Sequence, residues 1–273
     1  MNITCIARAN DKGEYAMNKD ERHQFILSLL EMHDKIMVTD IAKTQKVTPE
    51  TIRRDLAELE IDERLTRIHG GAVPFISNRK EMVYEKKIAL NYEDKRSIAK
   101  KAAELIHHGD TIAVDVGTTT VHIADMIENL EGLTIVTNSL SAAHRFNVAI
   151  EEKRITGQVI MLPGVTNPEQ ASVKGTYTID FLKRFNFNRA FISCGGVMND
   201  AVYDFDMDES FVSEVMIGQS QEAILLADSA KLNKKSMFKI CPISRISKII
   251  CNVGKPLDWQ ENGYEWITVN KLI

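Results

Sequence analysis

Residues 48–56 read TPETIRRDL, and residues 65–74 read LTRIHGGAVP. Thr48-Pro49 is a helix start: a hydroxyl to cap the first amides, then proline at the first helical position, where its missing N–H costs nothing. The spacing predicts a helix from Pro49 to about Ile61 with Ile52, Leu56 and Leu59 as its buried stripe, leaving Thr51, Arg53, Arg54 and Glu58 on other faces. In residues 65–74 apolar and polar side chains alternate up to Gly70-Gly71 and back, which is the pattern of a small hairpin. Working back from Thr48, residues 19–33 place Phe25, Ile26, Leu29, Leu30 and His33 on one helical stripe. Val38 is a short extended entry, and Thr39 or Asp40 is expected to cap a second helix that turns Ile41 and Ala42 inward before a turn at Lys46-Val47.

Three short helices followed by a hairpin fit a helix-turn-helix with a wing, in which the N-terminal half of the third helix enters the major groove. The residues expected to face DNA are Thr39, Thr48, Glu50, Thr51, Arg53 and Arg54, with Arg67 and His69 reaching from the wing to the backbone or minor groove. Arginine suits that task because it pairs bidentately with guanine edges or clamps a phosphate. The same pattern also describes a helical module that contacts proteins. Residues 17–74 hold nine Lys+Arg against eleven Asp+Glu, so overall charge does not argue for DNA.

The whole chain has 273 residues, 44% hydrophobic and 26% charged, with net charge -4. That excludes low-complexity disorder, and no run approaches the ~20 apolar residues of a membrane helix. The four cysteines, Cys5, Cys194, Cys241 and Cys251, have no metal-ligand spacing and read as reduced thiols, which suits the cytoplasm. No cofactor, metal or catalytic residue is expected. Residues 1–16 read as a disordered arm, with Met17 as an alternative start. Residues 17–74 form the helical module, 75–91 a linker with few apolar anchors, and 92–273 a second domain.

In that second domain, strands and helices alternate. A helix over 93–108 is followed by Thr111–Val116, helix 119–129, Leu133–Thr137, helix 139–150, Val159–Leu162, helix 176–185, Arg189–Ser193, helix 208–220, Ala223–Ala227, Lys248–Cys251 and Tyr264–Val269. This predicts an α/β domain with a largely parallel sheet covered on both faces. Its sharpest signal is VDVGTTT at 114–120, a strand that ends in Gly-Thr-Thr-Thr as a helix begins. Ligands of open α/β sheets bind beyond the carboxyl ends of strands, and free N–H groups there favour phosphate. Gly117 would let backbone approach the ligand, Thr118 and Thr119 would add hydroxyl donors, and Asp115 would accept from sugar hydroxyls. The plainer alternative is a strand-to-helix turn with threonine caps. Asn138 and Ser139, at the next strand end, would complete a pocket or simply cap helix 139–150.

TPETIRRDL, followed at its separation by Arg67-Ile68-His69-Gly70-Gly71-Ala72, resembles the signature of the DeoR family of bacterial transcriptional regulators over about residues 19–252. The resemblance implies an N-terminal winged helix-turn-helix and a larger α/β effector domain similar to ribose-5-phosphate isomerases. It implies a cytoplasmic homodimer or homotetramer without a membrane segment. This would repress a carbohydrate-metabolism operon by binding double-stranded operator DNA and respond to a phosphorylated sugar. It extends the effector set to Gly164, Gly175, Glu209 and, beside Asp228, Lys231, whose ammonium would meet the phosphate or else be a solvated lysine. Several positions depart from the family pattern: Glu63-Arg64, Val165, Asn188, Ala201, Asn252, and Ser213-Glu214 where a Lys-Arg pair is common. Losing that pair is expected to remove positive charge near the pocket or a subunit interface and to alter the effector response. Two rival readings remain. One is a sugar-phosphate isomerase assembled from Asp206, Asp208, Glu209 and Lys231; the other is an adaptor that does not bind DNA.

Overall fold

The computed structural model describes residues 18–33, 35–62, 64–68, 70–74, 81–260 and 263–270. The expected arm at 1–16, the unusual Glu63 and the wing residue His69 lie outside them. The chain divides into two compact units, Met1–Asn78 and Arg79–Ile273.

In the first unit, α1 (Lys19–Met32) opens with a capping box. The Asn18 side chain accepts from Glu21 N at 2.9 Å, and the Glu21 carboxylate accepts from Asn18 N at 3.0 Å. After β1 (Ile36–Met37), α2 (Val38–Gln45) begins without a side-chain cap. The expected cap at Thr39 or Asp40 is therefore corrected: helix starts directly out of β1, and both residues already lie in its exposed first turn. In α3 (Pro49–Ile61), Thr48 caps as expected, accepting from Thr51 N at 3.2 Å. Ile52, Leu56 and Leu59 pack with Ile26, Leu30 and Ile41 in one core. The hairpin β2 (Leu65–Ile68) and β3 (Gly71–Pro74) forms where alternation predicted it. β1 joins it, with Ile36 opposite Ala72, making a three-stranded sheet. A Cβ on Gly71 would stand 2.1 Å from the Ile36 carbonyl oxygen, so the close passage of β1 demands glycine there.

The second unit begins with α4 (Tyr84–Ala89) and α5 (Tyr92–Ala103). It continues through β4 (Thr111–Val114), α6 (Ile123–Met126), β5 (Leu130–Thr137), α7 (Leu140–Glu151), β6 (Ile155–Met161), β7 (Val165–Asn167) and β8 (Ser172–Lys174). Then come α8 (Thr176–Leu182), β9 (Phe187–Ile192), β10 (Gly196–Val197), β11 (Ala201–Asp204) and α9 (Met207–Gly218). The last elements are β12 (Ser220–Leu226), β13 (Phe238–Pro242), β14 (Lys248–Cys251) and β15 (Glu265–Thr268). Seven strands form one parallel sheet in the order β15-β14-β12-β9-β4-β5-β6. Period-two alternation feeds two cores. Ile112, Val114 and Phe191 pack on one face, while Ala113, Ala190 and Ile192 pack on the other, all fully buried. That two-sided burial is why the strands read as unbroken apolar runs.

Two further sequence expectations change here. The stretch read as a linker is structured from residue 81 onward and belongs to the second unit, because Tyr84 is buried and its N–H donates to the Glu169 carbonyl at 2.8 Å. The helix expected over 119–129 is a 3-10 turn at Thr120–His122 followed by the single turn of α6. The β7–β8 hairpin and the antiparallel sheet β10-β11-β13 were not anticipated. Among the described residues no helix is long and apolar enough to cross a membrane, and Cys194, Cys241 and Cys251 are buried free thiols.

Candidate functional site

The first unit offers an exposed polar face. Thr39, Thr48, Glu50, Arg53, Arg54 and Arg67 are exposed, and Thr51 is half-buried. Arg53 pairs with Glu50 at 3.0 Å along α3, and Thr48 and Thr51 share a hydroxyl contact of 2.9 Å. In the wing, Arg67 N donates to Glu60 at 2.8 Å, and its guanidinium stands 3.8 Å from the same carboxylate. These exposed pairs are weak enough to be exchanged for phosphate contacts. Asp55, inside the quoted signature, is different. It is buried and gripped by Arg22 through Nε at 2.5 Å and a terminal nitrogen at 2.8 Å, so it ties α3 to α1. The carboxylate holds the Arg22 guanidinium above its ordinary range.

The second unit carries a cavity across the carboxyl ends of β4, β9 and β12. Its walls include Val116, Gly117, Thr118 and Thr119 after β4, Ser193 and Cys194 after β9, and Leu226 with Lys231 at and beyond β12. β4 is the switch point of the sheet: from it the chain runs to β5 and β6 on one side, while β9 and β12 lie on the other. Such a crevice is where open α/β sheets bind ligands. Glu81, Tyr84, Lys87, Gln170, Asp204 and Glu209 complete the lining.

Five expected effector residues meet there: Gly117, Thr118, Thr119, Glu209 and Lys231. Gly117 has a reason beyond ligand access, since a Cβ would stand 2.3 Å from Ser193 Oγ and 2.5 Å from Ser193 Cβ. Glycine is what lets the two strand ends close on each other. With so short a helix following the loop, a helix dipole contributes little, and any anion must be held by loop N–H groups, hydroxyls and lysines. Glu209 is buried and accepts from Ser172 Oγ at 2.5 Å and Asn167 Nδ2 at 3.1 Å; burial pushes its carboxyl up. Burial and then the Glu81 charge push Asp204 up as well.

The other expected effector residues do not line the cavity. Asp115 lies beneath the loop rather than in it. Its Oδ1 accepts from Val116 N at 2.9 Å and Asn138 Nδ2 at 3.2 Å, and its Oδ2 from Ser213 Oγ at 2.7 Å. Its carboxyl rises to about 7, because burial outweighs the hydrogen bonds from Ser213 and Asn138. Asn138 Oδ1 accepts from Val116 N at 2.8 Å, so this pair braces the loop from behind. Ser139 caps α7, accepting from Ala142 N at 3.1 Å. Gly164, with φ 153°, stands where a Cβ would meet Thr178 Oγ1 at 2.2 Å, and Gly175 precedes α8 with φ 103°. Both are backbone requirements.

Neither Ser213 nor Glu214 lines the cavity: Ser213 donates to Asp115 beneath the loop, and Glu214 faces Arg245 at 3.5 Å. Sequence reading missed Glu81, Tyr84 and Lys87, which fell in the supposed linker, and Ser193. The strand-end rule used at Gly117 finds Ser193 when applied to Ser193-Cys194-Gly195-Gly196.

Comparisons with known proteins agree with this architecture. Residues 22–77 match the DeoR-like helix-turn-helix domain, and residues 90–253 match the DeoR C terminal sensor domain. An uncharacterized HTH-type transcriptional regulator of Staphylococcus epidermidis is 45% identical over 78% of this chain and 84% of its own. The lactose phosphotransferase system repressor of Streptococcus mutans is 35% identical over 86% of this chain and 92% of its own. The glycerol-3-phosphate regulon repressor of Escherichia coli is 29% identical over 88% and 94% respectively. A ribose 5-phosphate isomerase structure from Methanocaldococcus jannaschii overlaps 52% of this chain and 55% of its own at 15% identity with a TM-score of 0.35, too distant to carry an argument. On the strength of both matched domains and the near full-length relatives, the chain belongs to the DeoR family of bacterial transcriptional regulators.

Proposed function

We propose that this chain is a DNA-binding repressor of carbohydrate-metabolism genes, released from its operator by a phosphorylated sugar. The carrying observation is the cavity at the β4 switch point. Gly117, Thr118, Thr119, Lys87 and Lys231 supply N–H, hydroxyl and ammonium donors, while Asp204 and Glu209 supply carboxyls. Donors of that kind suit a phosphate, and carboxyls suit sugar hydroxyls. The names of the lactose phosphotransferase system and glycerol-3-phosphate regulon repressors support control of carbohydrate-metabolism genes. The Thr48–Arg54 face would read operator half-sites, and a homodimer or homotetramer would place two such faces one helical turn or a multiple apart.

The test is a thermal-shift panel of phosphorylated sugars on the full chain, with Lys231→Met alongside. A ligand that binds only the native state adds about 2.7 kcal/mol at a hundredfold excess over its Kd. The expected result is a shift by one compound that Lys231→Met abolishes; a flat panel counts against the reading. An isomerase has one observation in its favour, the raised carboxyls of Asp204 and Glu209 in one cavity. Against it, Asp206 and Asp208 do not line the cavity, and Asp206 is spent capping α9 and pairing with Lys174. Turnover of a sugar phosphate by the full chain would revive it.

A further inference from the structure

One lysine of the cavity already holds an anion. Lys87 Nζ pairs with the carboxylate of Glu81; both line the cavity, and their side chains are only 19% and 14% exposed. Besides Lys87, Glu81 faces two acids, because its charge acts on Asp204 and on Glu209. A charged Glu81 so close raises both of their carboxyls, an influence that ends if Glu81 leaves its position. Beneath it, the buried Lys95 donates to the Lys87 main-chain oxygen, and burial with the like charges of Lys231 and Lys87 lowers its ammonium to about 8. The charges of Lys87 and Lys231 thus both reach Lys95, and Lys87 carries Glu81.

We propose that Glu81 is a resident carboxylate holding, on Lys87, the place of the effector's anionic group, and that a phosphorylated ligand binds by displacing it. This rests on the reading of the cavity as the effector site. The chemistry favours exchange: a phosphate offers Lys87 more acceptor oxygens and more charge than one carboxylate. The exchange also bears on the backbone. The segment that carries Glu81 is pinned at two further points: the Met82 carbonyl accepts from Gln170 Nε2 at 3.3 Å, and Tyr84 N donates to the Glu169 carbonyl at 2.8 Å. Gln170 itself lines the cavity. Since the DNA-binding unit ends at Asn78, a ligand that moves Glu81 acts on the chain just beyond that unit.

The test titrates inorganic phosphate into the full chain and into Glu81→Gln, Lys87→Met and Lys231→Met, by calorimetry. Hydrogen exchange of the peptide containing Tyr84 is followed in parallel, and thermal melts confirm that each variant folds. Removing a competing ion pair is expected to tighten phosphate binding about fivefold in Glu81→Gln. Losing a charged donor is expected to weaken it about tenfold in each lysine variant. Phosphate is expected to speed exchange at Tyr84 in the unmodified chain. If Lys231→Met weakens binding while Glu81→Gln binds phosphate equally or more weakly, displacement is wrong and the effector site stands. Phosphate binding that ignores Lys231→Met, or none in any variant including Glu81→Gln, overturns the effector site and this proposal together.

Discussion

Ser213 Oγ donates to Asp115 Oδ2 at 2.7 Å, and both residues are buried. A hydroxyl, not a cation, meets this carboxylate. Burial, with the like charge of Glu209 adding to it, outweighs the hydrogen bonds and raises Asp115 to about 7. Its folded value is therefore above its unfolded one, so the folded chain takes up a proton more readily than the unfolded chain. The Asp115 contribution to stability is largest below the unfolded value of 3.8 and is lost as pH rises toward about 7.

Ser213→Ala removes a donor from a buried carboxylate and is expected to cost about 1–3 kcal/mol. The loss should be greater near pH 8 than near pH 6, because the ionised form is the one deprived. Chemical denaturation at both values checks it; equal losses would show that Asp115 does not titrate in this window.

Asp115→Asn takes the titrating group away while keeping an acceptor for Val116 N. Stability is expected to vary less between about pH 5 and pH 8 than in the unmodified chain, with a gain on the order of 1 kcal/mol at the upper end. Asp204 and Glu209 shift in the same direction and leave a residual slope. An unchanged slope would contradict the assignment.

Arg22→Ala leaves the buried Asp55, in the core of the DNA-binding unit, with His23 alone among the described residues at 3.4 Å. Breaking such a buried pair costs about 3–5 kcal/mol, reduced here because the Arg22 side chain keeps 11% exposure. The expected sign is an early melting step of the first unit with the second unit unaffected. Calorimetry of the full chain would show it; a single unshifted transition would mean the pair is dispensable.

Arg53→Ala and Arg54→Ala are expected to weaken DNA binding by about 1–3 kcal/mol where the arginine meets a base edge, with melting unchanged, since both are exposed. Gel-shift affinities on a duplex selected from random sequence check this. Normal affinity in both variants would remove α3 from the interface.

Local chemistry explains what the sequence made legible. Thr48-Pro49, the Ile52–Leu59 stripe and the Gly70-Gly71 turn each depend on neighbours within a turn or two, and each formed as read. Long-range partners did not show. Nothing local marks Asp55, whose partner Arg22 comes from another helix, and Asp115 read as a ligand contact, whereas Asn138 and Ser213 bond its oxygens. The segment 81–91 read as a linker because its anchor, the Glu169 carbonyl, is distant in sequence. Of the cavity, the strand end at Gly117 was visible and Ser193 was passed over, while the part brought by Glu81, Tyr84 and Lys87 required the packed structure.

The most direct test of the account measures the affinity of the full chain for its selected duplex with and without each member of a phosphorylated-sugar panel, at one fixed salt concentration. One compound is expected to weaken DNA binding about tenfold or more, a coupling within the usual 1–3 kcal/mol, and to lose that effect in Lys231→Met. Tight, sequence-specific DNA binding that no phosphorylated sugar alters would contradict the account.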